Sequence, residues 1–263
     1  MNFNKIHNLT DENKIIQLVM DNLDFFKLNK DEIMAMDDER RNFFIVGEYY
    51  AFLTSHVGDL ASKYLYKGQN SKRDWFDHRH HLLCPEREFL DFNMISGDNV
   101  IMVMPYKAKV LNLCSGDGWY DYYFFRKRAL EIDCVDVNEE VYKQAKRLHF
   151  AKNINYILHD VLTYSPKENY YDIVLIRGSI EHFSRDNQQL IFKKACEALK
   201  TGGWFCGDTP ENEKAKDLLL KQHENEWESE EEMKNELKEV FDNVETMRLR
   251  SENRTTLFWR CQK

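Results

Sequence analysis

The stretch Lys109–Tyr123, KVLNLCSGDGWYDYY, decides how the rest of the chain is read. A short apolar run, Val110 to Leu113, meets a turn holding Gly116 and Gly118 and then an aromatic-rich segment with helical spacing. The pattern predicts a buried strand, a glycine turn and a helix. Glycines suit such a turn because backbone must approach a ligand closely and can need positive φ, while the following helix offers unpaired N–H groups and its positive dipole end. Gly-x-Gly alone also fits an ordinary tight turn.

The next apolar run, Ile132 to Val135, ends in Asp136, twenty residues after Gly116. At that spacing a strand-end carboxylate can accept hydrogen bonds from both ribose hydroxyls, which makes the stretch a nucleoside site in a βαβ unit. A dinucleotide fingerprint starting at Gly116 wants a small residue at 121, where this chain has Asp121. An anionic side chain is unwelcome beside a pyrophosphate, so a nicotinamide-dependent dehydrogenase is disfavoured.

With these residues in view, the chain resembles the class I S-adenosylmethionine-dependent methyltransferases over roughly residues 100 to 263. VLNLCSGDG at Val110–Gly118 follows the family's first motif with departures: Asn112 replaces the usual acid, Cys114 and Ser115 fill the next positions, and Gly116 and Gly118 remain. The resemblance implies S-adenosyl-L-methionine as cofactor. It carries over Asp136, in CVDVNEE, as the ribose-binding acid with Val137 beside it, and Asp160, in ILHDVL, as the residue aimed at the adenine amine with Val161 beside it. YYDIVLIRGSIEHF matches the fourth strand and its exit, where Arg177 lends a backbone carbonyl to the cofactor or a side chain to an anionic acceptor. Also implied is an α/β fold, a Rossmann-like seven-stranded methyltransferase sheet ending in an antiparallel hairpin.

Composition sets the bounds. With 263 residues, 43% of them hydrophobic, the chain can bury a substantial core. No apolar run approaches the length of a membrane span and MNFNKIHNLTDEN lacks an apolar signal segment, so the expectation is a cytoplasmic protein with no membrane partner. Six scattered cysteines without a C-x-x-C pair read as reduced core thiols. A net charge of −8 repels a phosphate backbone, so nucleic acid is not the expected partner.

Ahead of the glycine turn, two amphipathic helices are predicted, one from Thr10 to Phe26 and one from about Asp38 to Tyr66. The second has Phe43, Val46, Tyr50, Leu53 and Val57 as its apolar face and bends at Gly47 and Gly58. They form a helical cap that packs on the sheet domain or on another subunit, which allows a homodimer through the cap. Trp75–Phe92, WFDHRHHLLCPEREFLDF, brings His78, His80 and His81 near Cys84. Neighbouring histidines on one element point in different directions, so a lid is preferred over a zinc site or a solvated loop, and no metal is expected. In the lid Arg79 would meet the methionine carboxylate or an anionic substrate, and His81 is a candidate catalytic residue. The division is therefore 1–97, cap and lid, and 98–263, catalytic domain.

Beyond the turn, strand and helix alternate as in a parallel sheet covered on both faces. Asn138 and Ser184 begin helices, Ser229 with Glu232 makes a capping box, and Gly202 and Gly203 stop the helix that starts at Arg185. His182 and Glu181, just past strand four, are the candidate bases, because open α/β sheets bind ligands at the carboxyl ends of strands. Each also has a structural reading as a helix-start residue, and Asp208-Thr209-Pro210 reads as a strand-exit turn. Ile176-Arg177-Gly178-Ser179 lacks the Asn/Asp-Pro-Pro-Tyr and Pro-Cys motifs of DNA methyltransferases. The expected acceptor is the O or N atom of a small polar metabolite, a sugar or nucleotide-linked building block among them. The alternative is a non-catalytic cofactor-binding module acting through assembly.

Overall fold

The computed structural model describes residues 11–66, 89–213, 218–250 and 254–263, and of 55–66 and 89–92 the backbone only. These residues belong to two compact units. The first contains α1 (Glu12–Met20), α2 (Lys30–Met34) and α3 (Asp38–Tyr66). Asp11 and Asn29 cap α1 and α2 by accepting from the backbone N–H groups of the first turn. Ile15, Val19, Ile33, Ile45 and Tyr49 form the core of this unit.

Three expectations for these helices are corrected. The helix read to Phe26 ends at Met20, and turns continue to Lys27, so that Leu23 and Phe26 reach the core from irregular backbone. On α3 the period is as expected and Val46 and Leu53 pack against the core, but Ile45 and Tyr49 are its fully buried residues, while Phe43 is 74% exposed and Tyr50 also faces out. Apolar residues occur all round this helix, and positions two apart lie on nearly opposite faces, so spacing alone does not fix which stripe is buried. Helix α3 also runs unbroken through Gly47 and Gly58.

Among the described residues the second unit opens with α4 (Phe89–Ile101), and the boundary expected at 97/98 falls inside that helix. Its sheet contains β1 (Ala108–Leu113), β2 (Ala129–Asp136), β3 (Ile154–Leu158), β4 (Tyr171–Arg177), β5 (Leu199–Pro210), β6 (Asn243–Arg250) and β7 (Thr255–Gln262). Their order is β3-β2-β1-β4-β5-β7-β6. The first five are parallel, and β7 runs antiparallel between β5 and β6, the hairpin end that the resemblance implied. Helices α5 (Glu139–Leu148), α6 (Arg185–Ala198) and α7 (Glu230–Leu237) complete the unit.

Alternate residues of the central strands enter two separate cores. Leu111, Leu113, Val174 and Ile176 pack with Phe192 of α6 and Leu237 of α7. Val110, Ile173 and Leu175 pack on the other face with Val100 of α4 and with Trp119 and Phe125. Burial on both faces explains why β4 reads as an unbroken apolar run, and β1 as one interrupted only by Asn112, rather than alternating. Gly118 is followed by a short helical segment whose main part, Asp121–Phe125, is a single π-helical turn, a form that recurs at functional sites. Asp208-Thr209-Pro210 is not an exit turn. These residues lie inside β5, opposite Phe258, Leu257 and Thr256 of β7. Pairing with a distant strand overrides the local turn preference of Asp and Pro.

Candidate active site

The strand order reverses between β1 and β4, and a ligand crevice is expected outside the carboxyl ends at that switch point. At the end of β1 three residues take left-handed backbone: Cys114 (φ 56°), Gly116 (φ 59°) and Gly118 (φ 71°). Gly116 N–H donates to Asp136 Oδ2 (2.9 Å), and Asn138 N–H donates to Oδ1 (2.9 Å). The carboxylate that ends β2 thus ties the glycine loop to the start of α5. Burial raises its pKa, and the backbone hydrogen bonds from Asn138, Gly116 and Val137 pull the other way. Each carboxylate oxygen has two acceptor sites, so capacity remains for ribose hydroxyls.

Gly118 has another job. A Cβ there would stand 2.3 Å from Tyr156 Oη, so this glycine makes room for the ring of Tyr156 rather than for a ligand. Tyr156 donates to the His149 carbonyl (2.9 Å), and His149 Nδ1–H donates to the Asp117 carbonyl (2.6 Å). The loop is thereby braced from its rear.

Asn112 faces inward as well. Its Nδ2 donates to Asp121 Oδ2 (2.8 Å), and both residues are buried. Burial pushes Asp121 up to about 6, while the hydrogen bonds from Asn112 and Cys134 pull it down. Asp121 therefore does not project at a ligand phosphate and, contrary to expectation, does not count against a dinucleotide. Sequence spacing could not show that the π turn carries this side chain beneath β1 and β2.

Asp160, after β3, is exposed and accepts from Leu162 N–H through Oδ1 (2.9 Å). Val137, beside Asp136, is 67% exposed, whereas Val161 is buried in the core with Leu111 and Leu113. Cys114 lies among these groups. Burial pushes its thiol up, and the charges of Asp136, Asp160 and Glu181 push it further.

At the exit of β4, Arg177 is engaged by the protein itself. Its Nε lies 3.0 Å from Asp208 Oδ2 and donates to Ser96 Oγ (2.6 Å), and its guanidinium sits 3.2 Å from the centre of the Tyr120 ring. Ser96 donates to Asp208, and Tyr120 to Asn93, which closes a buried network joining α4 to the strand ends. This is a framework role for the side chain, not the reach towards an anionic acceptor that the sequence suggested. The backbone carbonyl of Arg177 accepts from Ser179 Oγ (3.0 Å).

Glu181 and His182 lie on the next turn, Ile180–His182. Thr209 Oγ1, from the end of β5, donates to Glu181 Oε2 (3.0 Å), and burial pushes Glu181 up to about 7. His182 Nδ1–H donates to the Gln222 carbonyl (3.1 Å). Its ring meets His223 edge-on, centroids 4.8 Å apart. His223 was not singled out in the sequence, because it sits in an acidic stretch some forty residues away with no motif spacing to flag it. Its Nδ1–H donates to Glu226, whose carboxylate also accepts from Asn212 Nδ2 (2.7 Å) and from Leu219 N–H (2.9 Å). His81 and Arg79, with His78, His80 and Cys84, lie outside the described residues.

Residues 110–203 match the family model described as a methyltransferase domain. Among curated proteins, the chain is 28% identical over 111 residues to the phosphoethanolamine N-methyltransferase of Plasmodium falciparum, a match spanning 40% of this chain and 42% of that protein. Among solved structures, an S-adenosylmethionine-dependent methyltransferase from Listeria monocytogenes superposes with a TM-score of 0.52 at 12% identity, covering 65% of this chain and 99% of the other. The N-methyltransferase NodS from Bradyrhizobium japonicum does so with a TM-score of 0.54 at 13% identity, covering 65% and 96%. Residues 110–203 are thus a methyltransferase domain by that match, and the fold is the one these S-adenosylmethionine-dependent methyltransferases share.

The chain's own residues fit S-adenosylmethionine as cofactor. Asp136 has acceptor capacity left for ribose hydroxyls at the end of β2, and Asp160 offers an exposed carboxylate at the end of β3. Gly178, at the exit of β4, is left-handed (φ 51°), and a Cβ there would meet only Asp208 Oδ1, at 3.9 Å, so backbone lies open to a ligand. Among the described residues no helix is long and apolar enough to cross a membrane.

Proposed function

We propose that the chain transfers the methyl group of S-adenosylmethionine to an O or N atom of a small polar metabolite held beside Glu181, His182 and His223. One observation carries the reading. Asp136 ends β2, Asp160 follows β3 and Glu181 follows β4, so cofactor-type and base-type groups stand together at the carboxyl ends of the strands around the switch point, near enough to Cys114 for their charges to push its thiol up after burial has done so. The described Plasmodium relative, named for a small amine-bearing phosphate ester, supports an acceptor of that size and polarity.

When bound, the cofactor supplies an activated methyl on a sulfonium. The protein must align an acceptor lone pair with it at about 3–3.5 Å, and remove a proton from a protonated acceptor. Glu181, pushed up to about 7 and oriented by Thr209, is placed to take that proton, while His182 and His223 orient the acceptor. The decisive experiment is a screen of small polar metabolites with methyl-labelled cofactor, read by mass spectrometry. A gain of one methyl group, lost in Glu181→Gln, supports transfer. Tight binding of S-adenosylhomocysteine with no acceptor in a broad panel would favour the non-catalytic module instead.

A further inference from the structure

We propose that Glu181, His182 and His223 form a binding site for a divalent transition-metal ion at the acceptor end of the crevice. The proposal extends the reading above, since the ion would hold an oxygen of the acceptor. One potential ligand atom from each of the three residues lies within 4.8 Å of the others. Zinc–nitrogen and zinc–oxygen bonds of about 2.0–2.2 Å place neighbouring ligand atoms roughly 3.3–3.5 Å apart, so the three need to close by up to about 1.5 Å.

The hydrogen bonds around the cluster leave the right atoms open. His182 Nδ1–H is held by the Gln222 carbonyl, and His223 Nδ1–H by the Glu226 carboxylate. Both rings are thereby fixed in the tautomer whose Nε2 carries a lone pair. A carbonyl or carboxylate on the far nitrogen is the usual partner of a metal-binding histidine. Thr209 occupies Glu181 Oε2 and leaves Oε1 available. Glu226 is itself fixed by Asn212 and by Leu219 N–H, so the support behind His223 is complete. Glu181 and His223 are buried, unlike the acidic residues of an ordinary solvated surface.

Two imidazoles and one carboxylate suit zinc, manganese or iron(II) and leave coordination positions for water or a substrate oxygen. With an ion in place Glu181 acts as a ligand, and a bound acceptor hydroxyl is acidified by the ion instead.

Cobalt(II) titration of the full-length, chelator-treated protein tests the site without reference to turnover. The d–d absorption of the ion reports its ligands, and zinc should displace it. The expected result is one saturable ion per chain, with binding abolished in His182→Ala and His223→Ala. Glu226→Gln, which touches no ion, should weaken it about 10–100-fold. His182 is only half-buried, so His182→Ala decides the matter even if the change at His223 disturbs folding. A wild-type protein that takes up no cobalt, or a His182→Ala variant that binds it as tightly as wild type, overturns the proposal. Either result leaves the methyl-transfer screen, run with and without added metal, to be judged by itself.

Discussion

Asn112 stands where the first motif usually carries an acid, and its amide donates instead to a carboxylate nine residues on, Asp121 Oδ2, 2.8 Å away. A carboxyl at about 6 in the folded chain and 3.8 when unfolded keeps its proton only in the fold between those values. Its contribution to stability is thus complete below about pH 4 and is lost as pH rises through 6, by roughly 2–3 kcal/mol. Chemical denaturation between pH 4 and 8 should show this fall in wild type and a flatter profile in Asp121→Asn. Parallel profiles would mean that Asp121 is not the group responsible.

Asp136→Ala should lower affinity for S-adenosylhomocysteine by on the order of tenfold to thousandfold, since hydrogen bonds to a carboxylate contribute about 1.5–3 kcal/mol each. The structure adds a second loss, because Gly116 and Asn138 N–H also give up their acceptor. Calorimetric titration gives the answer, and unchanged affinity would remove Asp136 from the ribose site.

Arg177→Ala should destabilise the fold by about 3–5 kcal/mol, because it leaves the buried Asp208 carboxylate without its countercharge. Asp208 Oδ1 already has no hydrogen-bond partner among the described residues. Urea unfolding at pH 7 measures the loss. A change below 1 kcal/mol would return the Arg177 side chain to the list of acceptor contacts.

Gly118→Ala should cost at least about 1–2 kcal/mol from left-handed backbone alone, before the collision with Tyr156 is added. Thermal unfolding of the single variant and of Gly118→Ala with Tyr156→Ala separates the two causes. The second change should recover the steric part and leave the backbone part.

The sheet was legible because its strands are apolar and bounded. Val110 to Leu113, Ile132 to Val135 and Ile173 to Ile176 each sit inside an observed strand. Asp136 ends β2 at its distance from Gly116, and Glu181 lies just past β4. What stayed hidden depends on contacts between distant segments. Asp208 and Pro210 look like a turn until β7 pairs with them, and His223 is one histidine in an acidic stretch until Glu226 and His182 fix its position. On α3, aromatic residues on several sides conceal the phase of the buried stripe until Ile15 and Val19 select it.

The brace behind Gly118 has a consequence for affinity that no ligand contact reveals. Tyr156, His149 and the Asp117 carbonyl set the loop's curvature when the sheet forms, so a nucleoside meets a mould already cast and gives up little of its binding free energy to order backbone. Anyone redesigning this protein for a different cofactor would therefore find that β3, a strand with no part in the chemistry, governs how tightly the new molecule is held.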